Sequence, residues 1–163
     1  MDFIQPRWKA AIQYLRQADK FHSWRISRSL CPSCEGRYFI SLRKDAFMTR
    51  CLSCGANVTN LSLIPVIKSH NKQYNISNVW EMSTYGATLK FLKDNLPSVL
   101  ESEYFQGVAS GEEVNNILNQ DVQKLSFDNE SIDLITSSQV FEHVPDDMKG
   151  YKECYRVLRK MVL

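Results

Sequence analysis

Four of the five cysteines in the sequence form two close pairs whose thiols could bind a metal ion. Cys31-Pro-Ser-Cys34 is followed, after sixteen intervening residues, by Cys51-Leu-Ser-Cys54, and this spacing is typical of a four-cysteine zinc site. Each Cys-x-x-Cys turn places two thiolates on one tight knuckle, so two knuckles complete a tetrahedron. Because four thiolates leave no position open for substrate, the pattern predicts a structural zinc ion.

Other uses of these thiols stay open, namely two disulfides, a redox pair or an iron site. Iron is the main competitor, because four-cysteine spacing alone does not distinguish the two metals. The start of the chain has no signal-like apolar core and no stretch of about 18 apolar residues occurs, so we expect a cytoplasmic protein with no membrane segment. Disulfides are rare there, which favours a metal. Cys154 is left over as an ordinary thiol.

The elements around the cysteines are short. Strand-like runs at 37–42 and 47–50 predict a hairpin between the two pairs, and Gly36 and Gly55 suit knuckle turns that need positive φ. Over residues 28–58 the sequence resembles the zinc-ribbon family. Ribbons bind nucleic acid, proteins or neither, so this resemblance implies no function.

The flanking segments are predicted from their periodicity. Residues 6–22 predict an amphipathic helix, with apolar positions at Trp8, Ala11, Ile12, Leu15 and Ala18. Residues 57–78 have no sustained period of 2 or 3.6, and we expect an irregular connector there.

Composition is that of an ordinary soluble globular protein, with 44% hydrophobic and 23% charged residues in 163. Charge is unevenly spread: residues 1–60 hold ten Lys or Arg against four Asp or Glu, net +6, and the remainder is net −4. The split favours two units. A basic front could meet nucleic acid or another anion, although a solvated surface is the commoner explanation.

From residue 78 onward strand-like and helical stretches alternate. Strand-like runs at 79–82, 98–102 and 132–138 are interleaved with helical stretches at 86–95, 112–119 and 146–159. This alternation predicts βαβ units and a parallel sheet. The first strand leads through Ser83-Thr84-Tyr85-Gly86 into a helix, a turn that lets backbone amides approach a ligand, although one glycine alone is a weak signal.

A second group of motifs is more specific. Asp121, Leu125-Ser-Phe127, Ile132-Asp133 and Tyr155-Arg-Val-Leu-Arg159 resemble class I S-adenosylmethionine-dependent methyltransferases of the type 11 group, over residues 77–160. The resemblance implies a Rossmann-like sheet with strand order 3-2-1-4-5-7-6, of which this sequence carries strands one to four. We therefore expect an open edge at strand four that takes a second copy or a partner chain, and inactivity of this chain alone stays an open alternative.

The resemblance also implies site residues. Glu81 would hold the methionine part of S-adenosylmethionine, with Ser83 and Gly86 in the loop beside it. Tyr85 departs from the small residues of the family, so its side chain must point away. Glu103 would accept the ribose hydroxyls, with Glu101 as the alternative register.

Further along, Asp121 and the backbone of Val122 would receive the adenine amino group, and Ser138 would lie beside the methionine tail. His143 is a candidate catalytic base, although a packing or helix-start role is the commoner use of histidine there.

Taken together, the sequence predicts an α/β protein in three parts: helix and zinc ribbon at 1–60, connector at 61–77, and a partial methyltransferase domain at 78–163. The expected function is methyl transfer from S-adenosylmethionine to a small-molecule or sugar-like acceptor. The alternative is a non-catalytic ribbon that binds protein or, less in keeping with its few aromatic residues, nucleic acid.

Overall fold

The computed structural model describes residues 24–42 and 45–160. Within these ranges lie eight strands and three α-helices. The strands are β1 Arg25–Arg28, β2 Tyr38–Ser41, β3 Thr49–Cys51, β4 Asn78–Glu81, β5 Ser98–Glu103, β6 Glu113–Val114, β7 Ile117–Asn119 and β8 Leu134–Thr136; the helices are α1 Val58–Tyr74, α2 Ala87–Asn95 and α3 Asp147–Val157. The helix predicted over 6–22 lies outside the described residues.

The N-terminal unit is a three-stranded antiparallel sheet in the order β1-β2-β3. Its core side holds Phe39 opposite Cys51, and both side chains are buried. The predicted hairpin is present, although a 3-10 turn at Ala46–Met48 takes up part of its second run. β1 was not predicted because all four of its residues are exposed and show no alternation of apolar and polar side chains.

The segment expected to be an irregular connector is instead the longest described helix, α1. Asn57 caps its start by accepting a hydrogen bond from the Asn60 amide. Pro65 removes one internal hydrogen bond from this helix, and its own side chain is exposed. The prediction was wrong because polar and apolar residues alternate irregularly around this helix, and only Ile64 and Ile67 are fully buried.

The second sheet has the order β6-β7-β5-β4-β8. β4 pairs in parallel with β5 and with β8, and β5 pairs in parallel with β7. The order β7-β5-β4-β8 is the 3-2-1-4 arrangement expected from the resemblance, and the mixed α/β class is confirmed.

Residues 112–119 form the β6-β7 hairpin and not the helix that the alternation indicated. Asn115 and Asn116 both have positive φ, 53° and 64°. Two successive residues of this kind make the tight turn that suits the twist of a hairpin, and asparagine tolerates that conformation well.

Helices cover both faces of this sheet, because successive residues of β4 point to opposite sides. Val79 packs with α1 and α2 residues, including Ile64, Ile67, Phe91 and Leu92. Trp80 packs on the other face with Val122, Leu125, Ile132 and Val157 of α3. The carboxyl ends of the parallel strands therefore lie at one edge of a sheet that is covered on both faces. Among the described helices, none is long and apolar enough to cross a membrane.

Candidate functional site: a cysteine cluster and a cavity at the strand ends

The four predicted cysteines come together at the ribbon end. All four sulfur atoms lie within 4.8 Å of one another, and the Sγ atoms of Cys31 and Cys54, like those of Cys34 and Cys51, are 3.7 Å apart. A tetrahedral site with Zn–S bonds of about 2.3 Å has S–S edges of about 3.8 Å, whereas a disulfide bond is about 2.05 Å long. The geometry fits a four-thiolate metal site and excludes disulfides between these thiols as arranged.

Burial raises the pKa of the Cys31, Cys34 and Cys54 thiols, and backbone amides that point at the sulfurs oppose this effect. At Cys31 the amides of Cys34 and Ser33 donate to the sulfur. Burial also raises the pKa of Cys51, but there the amides of Cys54 and Ser53 and the neighbouring thiols outweigh it and bring the value to about 7. A thiolate is the form that binds metal.

The two glycines of the knuckles serve different purposes. Gly55 has φ +73°, as its predicted turn role requires. Gly36 does not have positive φ; the left-handed residue of the first knuckle is Glu35, at φ 60°. Gly36 is small because a Cβ there would lie 2.4 Å from Ser53 Oγ and 3.2 Å from Cys34 Sγ. It lets the two knuckles approach each other.

A cavity of about 280 Å³ opens at the carboxyl ends of β4, β5 and β7. In parallel α/β sheets this edge is where ligands bind. Its walls combine apolar and polar side chains: Trp80, Met82, Ser102, Glu103, Tyr104, Gln106, Gln120, Asp121, Val122, Gln123, Val140, His143, Val144 and Pro145. Four of the predicted site residues, Glu103, Asp121, Val122 and His143, are therefore among the lining residues.

The position of Glu103 distinguishes it from Glu101. Glu103 lines the cavity at the end of β5, and its Oε1 accepts hydrogen bonds from Thr84 N at 3.2 Å and Thr84 Oγ1 at 2.7 Å. Glu101 is not in the lining, and its carboxylate pairs with Lys93 Nζ at 2.5 Å. Thr84 thus orients Glu103 and leaves Oε2 for a ligand.

Asp121 is held in a turn just beyond β7. Its amide donates to Ser110 Oγ at 2.8 Å, and its Oδ1 accepts from the Gln123 amide at 2.9 Å. One carboxylate oxygen is therefore used to fix the loop. The neighbouring Val122 is buried and presents an apolar wall to the cavity.

Glu81, at the end of β4, is only 2% exposed and carries no cationic partner within the described residues. Thr136 Oγ1 donates to its Oε2 at 2.5 Å and Ser83 Oγ to its Oε1 at 2.7 Å. Burial raises the pKa of this carboxyl, although the two hydroxyl donors oppose the shift. A buried carboxylate of this kind suits a cationic ligand group, such as an ammonium.

Glu81 and the remaining predicted residues lie outside the cavity lining. Ser83 and Gly86 are in the β4–α2 loop, and Ser138 follows β8. Gly86 has φ +112° with open space at its Cα, and it caps α2 without a side-chain hydrogen bond. Tyr85 is 77% exposed, so its side chain points away from the strand ends, as its position in the loop demands.

Several contributing residues were not predicted. Thr84 and Thr136 orient the two carboxylates, and Trp80, whose Nε1 donates to Ser102 Oγ at 2.9 Å, forms a cavity wall. Position is the signal that could have found these threonines: Thr84 lies in the loop after a parallel strand, and Thr136 ends one. His143 closes a single 3-10 turn through its backbone.

Comparison with known proteins agrees with this geometry. A family model described as a methyltransferase domain matches residues 78–161, slightly more than half of the chain. No curated protein matches the chain. A solved chain from a complex between the Haloferax volcanii Trm112 methyltransferase activator and a candidate methyltransferase is similar at 20% identity and a TM-score of 0.39, over 57% of this chain and 46% of that one; the similarity thus spans less than half of that chain's length. On the family match, this chain belongs to the methyltransferase domain family.

Proposed function

We propose that the chain binds S-adenosylmethionine and serves methyl transfer to a small-molecule or sugar-like acceptor in the cytoplasm. The observation that carries this proposal is the cavity at the strand ends, where Glu103 and Asp121 face an apolar wall next to the buried Glu81. Three carboxylates with separate surroundings match a ligand with hydroxyls, an amino-substituted ring and an ammonium group. The family membership supports the same reaction class.

Each residue would then have a distinct task. The free oxygen of Glu103 accepts ribose hydroxyls, and Asp121 with the Val122 backbone binds the adenine amino group. Glu81 is the last residue of β4, directly before the β4–α2 loop. There its carboxylate would face the ammonium of the methionine part. Ser83, Gly86 and Ser138 border that part of the site, where exposed backbone amides can meet a carboxylate.

When bound, the cofactor supplies an activated sulfonium methyl group. The chain contributes orientation and the exclusion of water, which account for most of the acceleration such transfers need. His143 lines the cavity and is our candidate for accepting a proton from the acceptor.

The cysteine cluster would hold a structural zinc ion, with iron as the competing metal. Its donor set is four thiolates in a tetrahedral arrangement, which leaves no site for acceptor or water. We therefore assign zinc a role in folding the ribbon. Elemental analysis of purified chain distinguishes the metals, and a zinc-free, iron-free folded chain would contradict the assignment.

Calorimetric titration of the full chain with S-adenosylhomocysteine tests the cofactor proposal. Saturable heat is expected, and it should be lost in the Asp121→Ala variant. A Kd of roughly 1 mM corresponds to a binding free energy of about −4 kcal/mol. If no heat is detected up to that ligand concentration, the proposal is wrong.

A binding role for the ribbon is the second candidate, and one observation favours it. Ile26, Tyr38 and Leu52 are 69%, 53% and 54% exposed on the ribbon sheet, an apolar surface of the kind that protein partners cover. Nucleic acid is disfavoured, because four thiolates around a divalent ion add two negative charges, and Arg50 already donates to the Phe47 and Thr49 carbonyls. A pull-down in which a protein stays bound to the immobilised chain at high salt would support a protein partner.

The second edge of β8 offers another contact. β8 pairs with β4 on one side, and no other described strand pairs with it. A second copy or a partner chain could add a strand there. Light scattering at increasing concentration would detect self-association.

A further inference from the structure

The metal ribbon and the cofactor loop meet at one small contact. Ala56, the second residue after Cys54, is fully buried with Cys31, Phe39 and Cys51. Cys54, Leu61 of α1 and Ala87 of α2 pack against this cluster. Ala87 directly follows Gly86, the end of the β4–α2 loop. The side of the knuckle that faces the rest of the chain therefore touches the first residue of α2.

Asn60 reinforces the same contact with hydrogen bonds. Its Oδ1 accepts from the Asn57 amide at 3.0 Å, and its Nδ2 donates to Thr88 Oγ1 at 2.9 Å. Asn57 follows the second knuckle by three residues, and Thr88, in the first turn of α2, is 5% exposed. One side chain thus links the exit of the ribbon to the start of α2.

The start of α2 determines where the loop can lie. The loop is fixed at one end by β4 and at the other by Ala87 and Thr88. Between them, Ser83 donates to Glu81 and Thr84 donates twice to Glu103. If the start of α2 shifts, these bonds are strained or lost. Glu103 then loses both donors that orient it in the cavity, whereas Glu81 keeps its bond from Thr136.

The ribbon cannot keep this contact in place without its metal. Its described core has four buried residues, two of which are metal-ligating cysteines, and so small a core does not fold by apolar burial alone. We propose that metal binding in the ribbon positions the β4–α2 loop, with Asn60 as the positioning residue, so that metal removal weakens cofactor binding at a distance. This inference rests on the proposed cofactor site.

The test is a set of S-adenosylhomocysteine titrations on the full chain. Zinc-bound chain is compared with chain treated with a chelator under reducing conditions, and then with chain to which zinc has been restored. We expect at least a tenfold weaker affinity without metal and full recovery on restoration. An unchanged affinity in metal-free chain would overturn the proposal.

Variants that retain all four cysteines separate positioning from general unfolding. Asn60→Ala and Thr88→Val each remove the link, and we expect full metal content with affinity reduced about three- to tenfold. Asn71→Ala is the matched control, since Asn71 accepts the Ile76 amide at the opposite end of the same helix and should leave affinity unchanged. Equal affinities in all three variants would overturn the role of Asn60, even if the chelated chain unfolds entirely.

Hydrogen exchange distinguishes failure of this inference from failure of the cofactor site. Amides of residues 83–89 should exchange faster in metal-free chain and in Asn60→Ala, with no ligand present. If zinc-bound chain binds no S-adenosylhomocysteine but shows this exchange pattern, the cofactor proposal fails and the positioning stands. If the ligand binds but the amides of residues 83–89 exchange at the same rate with and without metal, the proposal that the metal positions the loop is wrong.

Discussion

The ribbon and the α/β half organise their sites in opposite ways. The four thiols of the ribbon come from two segments of four residues each, and their geometry is set by local turns. The two cavity carboxylates, Glu103 and Asp121, and the buried Glu81 come from strand ends about twenty residues apart, and a sheet covered on both faces places them at one edge. A local site depends on its ligand for stability, whereas a site at strand ends depends on the core beneath it.

The largest expected effect is loss of a metal ligand. Cys51→Ser should abolish metal binding and leave β1 to β3 unprotected in hydrogen exchange, because structural zinc contributes roughly 10–16 kcal/mol of apparent binding free energy. Elemental analysis gives the metal content. Cys154→Ala is the control, since burial raises the pKa of that thiol to about 11 and it lies in α3. Full metal content in Cys51→Ser would show that the ribbon does not need this ligand, and the contrast between the two sites would then be wrong.

Next in size is the loss of a carboxylate that lines the cavity. Glu103→Gln should weaken S-adenosylhomocysteine binding about 10- to 100-fold, because hydrogen bonds to charged groups contribute about 1.5–3 kcal/mol. Glu101→Gln, two residues away and paired with Lys93, should change affinity less than about twofold, since Glu101 lies outside the cavity lining. Calorimetry measures both. Equal losses of affinity in the two variants would show that the residue of β5 that faces the ligand has been assigned wrongly.

Glu81→Gln should separate stability from binding. Its folded-state pKa is raised above an unfolded value of about 4.3. The folded state therefore binds the proton more tightly, and this group's contribution to stability falls as pH rises through the folded pKa. The variant should therefore be more stable than wild type at pH 8. It should nevertheless bind cofactor more weakly.

Urea unfolding at pH 5 and pH 8 checks the sign. The stability gain should shrink at the lower pH, where the wild-type carboxyl is more protonated. A gain that grows toward pH 5 would mean that hydrogen bonding outweighs burial at Glu81.

The smallest effect concerns backbone conformation in the ribbon. Gly55→Ala places a Cβ at φ +73° and should cost about 1 kcal/mol, which is about a fivefold loss of metal affinity in competition with a chromophoric chelator. Gly107→Ala has a similar constraint, at φ +81°, but lies in the α/β half. It should leave metal affinity unaltered, and a matching loss there would indicate global destabilisation.

The same contrast explains what could be predicted from sequence. The cysteine pairs were identified because the Cys-x-x-Cys spacing alone places two thiols on one tight turn. β4, β5, β8, α2 and α3 followed from apolar periodicity, since buried elements must alternate in a parallel sheet. β1 was missed because all of its residues are exposed. α1 was missed because its apolar residues follow no regular period and a proline lies inside it.

At the cavity, sequence reasoning gave candidates but not their partners. The choice between Glu101 and Glu103 needed the position of Thr84, whose two hydrogen bonds select the inward carboxylate. Asn115-Asn116 was a readable turn signal, and it would have replaced the helix expected at 112–119 with a hairpin. Contacts such as Asn60 to Thr88 span 28 positions and leave no local pattern.

Trp80 gives the molecule an optical property. Its indole forms part of the cavity wall and donates to Ser102, whereas Trp24 lies at the start of the ribbon, 42% exposed. Emission from Trp80 should be blue-shifted and should be quenched when an adenine ring stacks nearby, while emission from Trp24 should follow the ribbon. Double Trp→Phe variants, each of which also replaces Trp8, would leave either Trp24 or Trp80 as the single emitter and so turn the two halves into separate fluorescent reporters.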